Sequence, residues 1–285
     1  MDVSEVEVEN ILTRTSGFLE TVTSHSLQPY RGCSYGNSLC GVGCYVQHSY
    51  WVTKGREWGS FLEVRSNAAD AYLGQVERER RWARERRGSF NIFMSSATDP
   101  FVPQETRYGV TTSLLETMVD EPPDQLILQT HSQRVRNSQN PLARLRERCE
   151  VRVHLSIETD RESVDGLPPH ASSVEDRFTA AKQLHDSGHQ VTITVSPLLP
   201  IAEPERFFAR IADSATSVII DHFIEGDGSA DGSRTRKTIL PEVLAKVEPA
   251  SVGLDYREEM VRIASRHLPG RVGVSIDGFA GRFQI

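Results

Sequence analysis

Short apolar runs alternate with helical patterns along this 285-residue chain beyond residue 88. Five of the runs are rich in Ile, Val, Leu or Phe almost throughout, as is typical of strands that are covered on both faces. They predict strands at Phe90–Ser95, Gln125–Thr130, Val151–Ile157, Val191–Leu198 and Ser217–Phe223. A further short strand is expected near Ser26–Gln28, which gives six strands in all.

Helical periodicity fills the segments between these strands. The clearest case is a segment in which Val174, Phe178, Ala181 and Leu184 share one face, and in which Gly188 supplies the stop. The pattern predicts helices at Ala68–Arg87, Thr106–Val119, Arg134–Arg148, Ser173–Ser187 and Pro204–Asp213.

Repeated βα units imply a parallel sheet with right-handed crossovers. A doubly wound open sheet also fits this alternation. Polar residues follow most of the predicted strands, however, and barrels carry their chemistry at those strand ends. The sequence therefore predicts an α/β fold, a partial (β/α)6 TIM barrel over residues 1–225 with a C-terminal extension at 226–285. The Gly-rich, charged segment Glu225–Arg236 is expected to be a mobile loop.

Composition narrows the class of protein. The content of 38% hydrophobic and 25% charged residues is ordinary for a soluble globular chain. The net charge of −7 supplies no basic field, so nucleic acid is not an expected partner. No apolar run approaches the ~20 residues of a membrane span, so no membrane is expected. The acidic start lacks the features of a signal peptide, and together with uneven cysteine spacing this predicts a reducing cytoplasm.

Three of the four cysteines lie close together on a glycine-rich loop, with the spacing Cys-x6-Cys-x3-Cys. They are Cys33, Cys40 and Cys44. Iron–sulfur clusters and zinc are the usual occupants of such loops. His48 follows at four residues, so a CCCH zinc site in an RNA-binding protein is an alternative. The acidic charge and the βα array favour a [4Fe–4S] cluster, in which three cysteines would leave one iron open.

An N-terminal three-cysteine loop before a βα barrel resembles the radical S-adenosylmethionine (radical SAM) superfamily. Within it, Ser26–Cys33 is similar to the N-P-Y-x-G-C motif of the spore photoproduct lyase-like branch. Ser95–Glu105 is similar to its S-x-T-D-P-Y-x-P-x-E motif, and Leu128–Ser132 to its L-x-T-K-S motif. Val153–Thr159 and Thr192–Pro200 resemble later strands. The resemblance runs from about residue 20 to about residue 225.

The resemblance implies an enzyme in which Cys33, Cys40 and Cys44 hold a [4Fe–4S] cluster. Reduced flavodoxin or ferredoxin would supply an electron, and SAM would be cleaved to a 5′-deoxyadenosyl radical that acts on an unidentified substrate. It also implies that residues near the strand ends contact SAM. The candidates are Tyr45, Ser96, Thr98, Asp99, His131, Ser156 and Glu158.

Two departures from the family pattern limit what the resemblance implies. The loop is four residues longer than Cys-x3-Cys-x2-Cys, which leaves cleavage of SAM at another C–S bond open. Ser96 stands where spore photoproduct lyases place a hydrogen-donating cysteine, and a serine O–H bond is too strong to replace it. DNA photoproduct repair is therefore not expected. Other interpretations remain for Asp99 as a turn residue, for Glu158 as an arginine partner and for Cys149 as a core thiol.

Overall fold

The computed structural model describes residues 1–283. Within them the strands are β1 (Asp2–Val6), β2 (Leu12–Arg14), β3 (His25–Leu27), β4 (Tyr30–Gly32), β5 (Phe61–Arg65), β6 (Asn91–Met94), β7 (Gln125–Thr130), β8 (Glu150–Ser156), β9 (Gln190–Val195), β10 (Ser217–Ile220) and β11 (Val272–Val274). The helices are α1 (Leu39–Gly43), α2 (Tyr50–Thr53), α3 (Ala68–Arg87), α4 (Glu105–Tyr108), α5 (Val110–Asp120), α6 (Gln139–Arg146), α7 (Val174–Asp186), α8 (Pro204–Ser214), α9 (Phe223–Gly226), α10 (Leu240–Val247), α11 (Leu254–His267) and α12 (Ser275–Phe279).

The larger sheet has eight strands in the order β2-β3-β6-β7-β8-β9-β10-β11. All neighbouring pairs are parallel except β2 and β3. This order follows the chain without a reversal, whereas a doubly wound sheet reverses at a switch point. The sheet is not closed, because β2 and β11 lie at its two edges. The predicted partial barrel is confirmed.

The two faces of this sheet differ in chemistry. Along β8 and just beyond it, Val153, Leu155 and Ile157 pack into the main apolar core beneath the helices. The alternate residues His154 and Ser156 face the barrel interior, because successive side chains of a strand point to opposite faces. The interior therefore combines these polar residues of β8 with apolar side chains such as Phe93, Ile127 and Ile219 from the other strands.

The six predicted strands correspond to β3 and β6–β10, which confirms that part of the fold. Two helices differ from the prediction. Gly109, with φ of +61°, separates α4 from α5 where one helix was expected. The segment expected to be helical from Arg134 starts as a 3-10 helix, Gln133–Ser138, before α6. Pro141 has no N–H and suits the first turn of a helix, so α6 begins only two residues before it.

A three-stranded sheet, ordered β1-β5-β4, was not predicted and positions the cysteine loop. β4 ends at Gly32, immediately before Cys33. The Tyr30 hydroxyl donates to Glu105, whose carboxylate also accepts from the N–H groups of Thr111 and Thr112 at 3.0 and 2.9 Å. The start of the cysteine loop is thereby tied to the first turn of α5.

The C-terminal segment adds to the large sheet. β11 pairs with β10, with Val272 opposite Val218, and α11 packs on α8. The segment expected to be a mobile loop is organised around Asp227, whose oxygens accept from Ser229 N at 2.9 Å and Thr235 N at 2.7 Å. Among residues 1–283, no helix combines the length and apolar character that crossing a membrane requires.

Candidate functional site

A cavity of about 690 Å³ lies at the carboxyl ends of the parallel strands. The cysteine loop forms one wall, and the residues that follow β6, β7, β8, β9 and β10 form the rest. The cavity continues into the barrel interior as far as Phe93 and Phe279. This is the end of a parallel barrel at which active sites are built.

All three clustered cysteines line this cavity. Cys33 is buried, and Cys40 and Cys44 are partly buried. The loop is folded so tightly that a Cβ on Gly41 would lie 2.0 Å from the Tyr35 carbonyl oxygen. The glycines of the motif are thus a steric requirement of the loop.

The donor set of this wall fits an iron–sulfur cluster. Burial raises the pKa of Cys33 to about 12 and that of Cys44 to about 11, and it also raises the pKa of Cys40. These thiols need a nearby positive charge to ionise, and metal ions supply one. In the described residues, no three His, Cys, Asp or Glu side chains converge on the position of a single ion. A cubane differs from a single ion because it binds three thiolates through three different irons.

His48 does not join the cysteines. It is an exposed residue whose Nε2 lies 3.1 Å from the carbonyl oxygen of Lys237. His48 lines the same cavity as the cysteines, but its ring contacts the backbone at Lys237, and it forms no metal-binding group with them among the described residues.

Asp99 connects the end of β6 to the end of β7. Its Oδ1 accepts from Phe101 N at 2.8 Å and from the Thr130 hydroxyl at 2.9 Å, and its Oδ2 accepts from His131 N at 2.7 Å. Burial raises the pKa of Asp99, and these donors partly offset that effect. Asp99 therefore acts as a turn residue that also lines the cavity, beside the buried Thr98.

Glu158 lies at the centre of a buried ionic network. Its Oε2 accepts from Arg177 Nη1 at 2.7 Å, and its Oε1 lies 2.7 Å from His131 Nδ1. Burial by itself raises the pKa of Glu158, but the Arg177 charge and the His131 contact outweigh burial and hold that pKa well below its usual range. Glu158 does pair with an arginine, but that arginine is Arg177 of α7 and not the expected Arg152, which pairs with Glu150 at 2.6 Å.

A second, neutral network lies just below the cavity floor. Gln129 Nε2 donates to the Ser156 hydroxyl at 2.6 Å and to the Thr194 hydroxyl at 2.9 Å. Ser156 itself does not line the cavity but holds Gln129, which does. Gln129 Oε1 is buried without a hydrogen-bond partner among the described residues. Sequence reasoning missed Gln129 because it lies inside a predicted strand.

The two remaining candidate residues also line the cavity. The Ser96 hydroxyl accepts from Gln28 Nε2 at 2.8 Å. Tyr45 follows the third cysteine, and the Arg234 guanidinium lies 6.0 Å from the centre of its ring. Burial raises the pKa of Tyr45 to about 12, so its hydroxyl stays neutral and can donate a hydrogen bond.

Asp221 and His222 line the cavity and were missed from the sequence. They fell inside the predicted strand Ser217–Phe223, but β10 ends at Ile220. Two adjacent polar residues at the end of an apolar run were the sequence signal that could have identified them as cavity residues. Asp221 Oδ2 accepts from the Ser196 hydroxyl at 3.1 Å, and burial raises the pKa of Asp221 to about 7.

Fold and cavity together define a class: a partial α/β barrel with three cysteines at the mouth of the barrel. Among solved structures, the chain is similar to a cysteine-to-alanine mutant of spore photoproduct lyase with dinucleoside spore photoproduct, at 15% identity and a TM-score of 0.62. It is also similar to a double mutant with bound AdoMet and the same dinucleoside, at 16% identity and a TM-score of 0.58. Both alignments cover 95% of this chain and 80% of the other.

These likenesses confirm the expected resemblance to spore photoproduct lyase at the level of the fold. A tyrosine-to-phenylalanine mutant of the same enzyme matches at 13% identity with a TM-score of 0.61. No protein-family profile matches the chain, and no curated protein sequence matches it significantly.

Proposed function

We propose that this protein is a radical SAM enzyme that holds a [4Fe–4S] cluster on Cys33, Cys40 and Cys44 and binds SAM in the adjoining cavity. It cleaves SAM reductively to a 5′-deoxyadenosyl radical, which acts on a substrate still to be identified. The observation that carries the proposal is three cysteines lining the mouth of a barrel with the fold of spore photoproduct lyase. One of those structures holds AdoMet.

The cysteines are the ligands in this proposal, and the tight turn at Gly41 keeps them on one wall. When bound, the cluster supplies the electron for reductive cleavage of SAM. Three neighbouring groups orient SAM. Gln129 Oε1 would accept a hydrogen bond, His131 would present the ring nitrogen that does not face Glu158, and Tyr45 would contact the adenine.

The Glu158–Arg177 pair fixes His131 and does not contribute free charge to the cavity. Because Glu158 is ionised, it accepts from His131 Nδ1–H, and His131 Nε2 is left to face a ligand. The deeper part of the cavity is walled by aromatic rings such as Phe93 and Phe279, 6.3 Å apart. An apolar wall excludes water, which protects a reactive intermediate from side reactions.

DNA photoproduct repair is not part of the proposal. Ser96 stands at the position of the hydrogen-donating thiol, and its hydroxyl is engaged with Gln28. The fourth cysteine, Cys149, is not among the residues that line the cavity. After hydrogen abstraction, the substrate must therefore regain a hydrogen atom, or form its product without one, by a route that does not use that thiol.

Reduced flavodoxin or ferredoxin is the proposed electron donor, and a reducing cytoplasm is the proposed setting. Because the loop between Cys33 and Cys44 has additional residues, cleavage of SAM at another C–S bond remains an alternative. A zinc-dependent RNA-binding role is the less favoured alternative, because His48 is engaged with Lys237.

The first experiment tests the cluster with matched cysteine variants. Anaerobically purified wild-type protein should be brown and contain iron and sulfide in equal amounts. Cys40→Ala should be colourless, whereas Cys149→Ala, which removes a thiol outside the cavity, should keep the full iron content. Colourless wild-type protein with one bound zinc, or a brown Cys40→Ala variant, would contradict the ligand assignment.

The second experiment tests the reaction. Reduced, reconstituted protein incubated with SAM and dithionite should release 5′-deoxyadenosine and methionine. Methylthioadenosine in their place would favour the alternative C–S bond. A brown protein that binds SAM but releases neither product would overturn the proposed chemistry while leaving the cluster assignment intact.

A further inference from the structure

Asp221 is a buried acid whose hydrogen-bonding capacity is largely unused. It follows β10, lines the cavity and is 3% exposed. Its Oδ2 accepts one hydrogen bond, from Ser196 at 3.1 Å, and its Oδ1 has no partner within residues 1–283. A buried carboxyl with an empty acceptor carries a desolvation cost that protein contacts here do not repay.

The other carboxylates of the cavity are accounted for. Glu158 is paired with Arg177, and Asp99 accepts from three residues. Asp227 accepts from the N–H groups of Ser229 and Thr235. Asp221 differs from all of them, since neither a cation nor a backbone N–H contacts it among the described hydrogen bonds and ion pairs.

Arg257 is the cation that acts electrostatically on Asp221, but its donors are committed elsewhere. Its Nη1 contacts Glu225 at 2.9 Å, and its Nη2 contacts Glu258 at 2.8 Å. Arg257 is therefore not the counter-ion of Asp221.

The chain that follows Asp221 is built around its carboxyl group. Gly226 lies so close that a Cβ there would be 2.4 Å from Oδ2 and 2.5 Å from Oδ1. Glu225 adopts a left-handed φ of +70°, and its carboxylate is held by Arg257. A non-glycine residue in the left-handed region is strained, and such strain clusters at ligand sites.

We propose that Asp221 binds a hydrogen-bearing cationic nitrogen of the substrate, such as a protonated amine or amidine, with the apolar part of that substrate against Phe93 and Phe279. Calling this ligand the substrate rests on the proposed function, but the binding site itself does not depend on radical chemistry. A cation satisfies the empty acceptor and neutralises the charge, which is the combination that a buried carboxylate requires.

The test uses a probe with both features. Phenylethylammonium carries an aromatic ring and an N–H cation, and 2-phenylethanol is its neutral counterpart. Binding of each to the cluster-loaded full-length protein is measured by ligand-observed NMR and calorimetry at pH 8. Asp221→Asn keeps the shape and removes the charge, and Asp120→Asn removes an exposed aspartate of α5 outside the cavity.

We expect the wild-type protein and Asp120→Asn to bind the cation more tightly than the alcohol. Asp221→Asn should lose about tenfold or more in affinity for the cation, the usual effect of one charge-assisted hydrogen bond, and bind the alcohol unchanged. Gly226→Ala, which crowds both oxygens, should weaken the cation in the same way. Affinity for SAM should be equal in wild-type and Asp221→Asn protein.

Three results would overturn the inference. The first is equal affinity of wild-type and Asp221→Asn protein for the cation. The second is no preference of the wild-type protein for the cation over the alcohol. The third is a loss of SAM affinity in Asp221→Asn, which would assign Asp221 to SAM. Failure of the radical reaction with normal probe binding would count against the proposed function and not against this site.

Discussion

Glu158 and Asp221 are both buried carboxyl groups at the ends of barrel strands, but their surroundings differ. Glu158 is bonded to Arg177 and His131, and its pKa is low. At Asp221, burial is offset chiefly by the hydroxyl groups of Ser196 and Ser275, and its pKa is raised to about 7. Burial raises the pKa of both groups. A direct contact with an arginine, present at Glu158 and absent at Asp221, therefore decides which group stays ionised.

Removal of the Glu158 charge should destabilise the fold. Glu158→Gln leaves Arg177 buried without a counter-ion, and we expect a loss of about 3–5 kcal/mol in the free energy of unfolding. The matched control is Glu175→Gln, whose arginine partner Arg210 is exposed, for which we expect less than about 1 kcal/mol. Urea denaturation measures both. Equal losses would show that Arg177 does not depend on Glu158.

Asp221→Asn should increase the free energy of unfolding, in contrast to Glu158→Gln, and the increase should depend on pH. The pKa of Asp221 rises from 3.8 to about 7 on folding because burial outweighs the lowering effects of Ser196, Ser275 and Arg257, and Glu225 adds to the rise. The folded state thus binds more protons between these values, so wild-type stability falls as pH rises through this window and is constant above it.

The stabilisation by Asp221→Asn should therefore be absent near pH 4 and reach at most about 4 kcal/mol above pH 7. The pKa of the neighbouring His222 is lowered mainly by burial. His222 is present in both the wild-type protein and Asp221→Asn, so its titration does not contribute to the difference in stability between them. The measurement is denaturant unfolding at several pH values. A difference that does not vary with pH would contradict the raised pKa.

At the scale of elements, the cysteine loop and the helices that flank it depend on close backbone contacts. α1 carries Cys40 and Gly41 and packs on the preceding turn of the loop. The positions of β3 and β6–β10 were predictable because each apolar run is bounded by polar residues. The break between α4 and α5 was not, because it depends on Gly109 adopting a positive φ that the helical periodicity does not encode.

Gly41→Ala should disrupt the loop and leave the barrel intact. The added methyl group would lie 2.0 Å from the Tyr35 oxygen, a contact that no rotamer can relieve. We expect loss of iron and sulfide after anaerobic reconstitution, with a native circular dichroism spectrum. The control is Gly74→Ala in α3, where nothing lies within 4 Å, and it should gain about 0.5–1 kcal/mol in stability. Full iron content in Gly41→Ala would refute the steric argument.

At the scale of the whole molecule, the C-terminal segment shares the barrel's hydrogen bonds and core. β11 pairs with β10, and α11 buries Met260, Ile263 and Ala264 in the core that also contains β8 and β9. The division at residue 225 therefore stays a prediction about sequence organisation. Physically, the two parts share one sheet.

A chain ending at residue 225 should accordingly fail to fold stably. It loses several large buried side chains, each worth about 1.5–3 kcal/mol, against a typical total stability of about 5–15 kcal/mol. The full chain should unfold in one transition that coincides for circular dichroism and tryptophan fluorescence. Cooperative unfolding of residues 1–225 alone would establish an independent barrel domain.

The sequence by itself determined the alternation of strands and helices, the cysteine loop and the parallel winding, because burial periodicity and glycine and cysteine spacing are local properties of the chain. The tertiary structure decided what each polar residue does. Arg177 reaches Glu158 from 19 positions away, and Gly226 lies against Asp221 through a turn at Glu225. Such contacts depend on how strand ends and loops meet around the cavity, and no local pattern encodes that meeting.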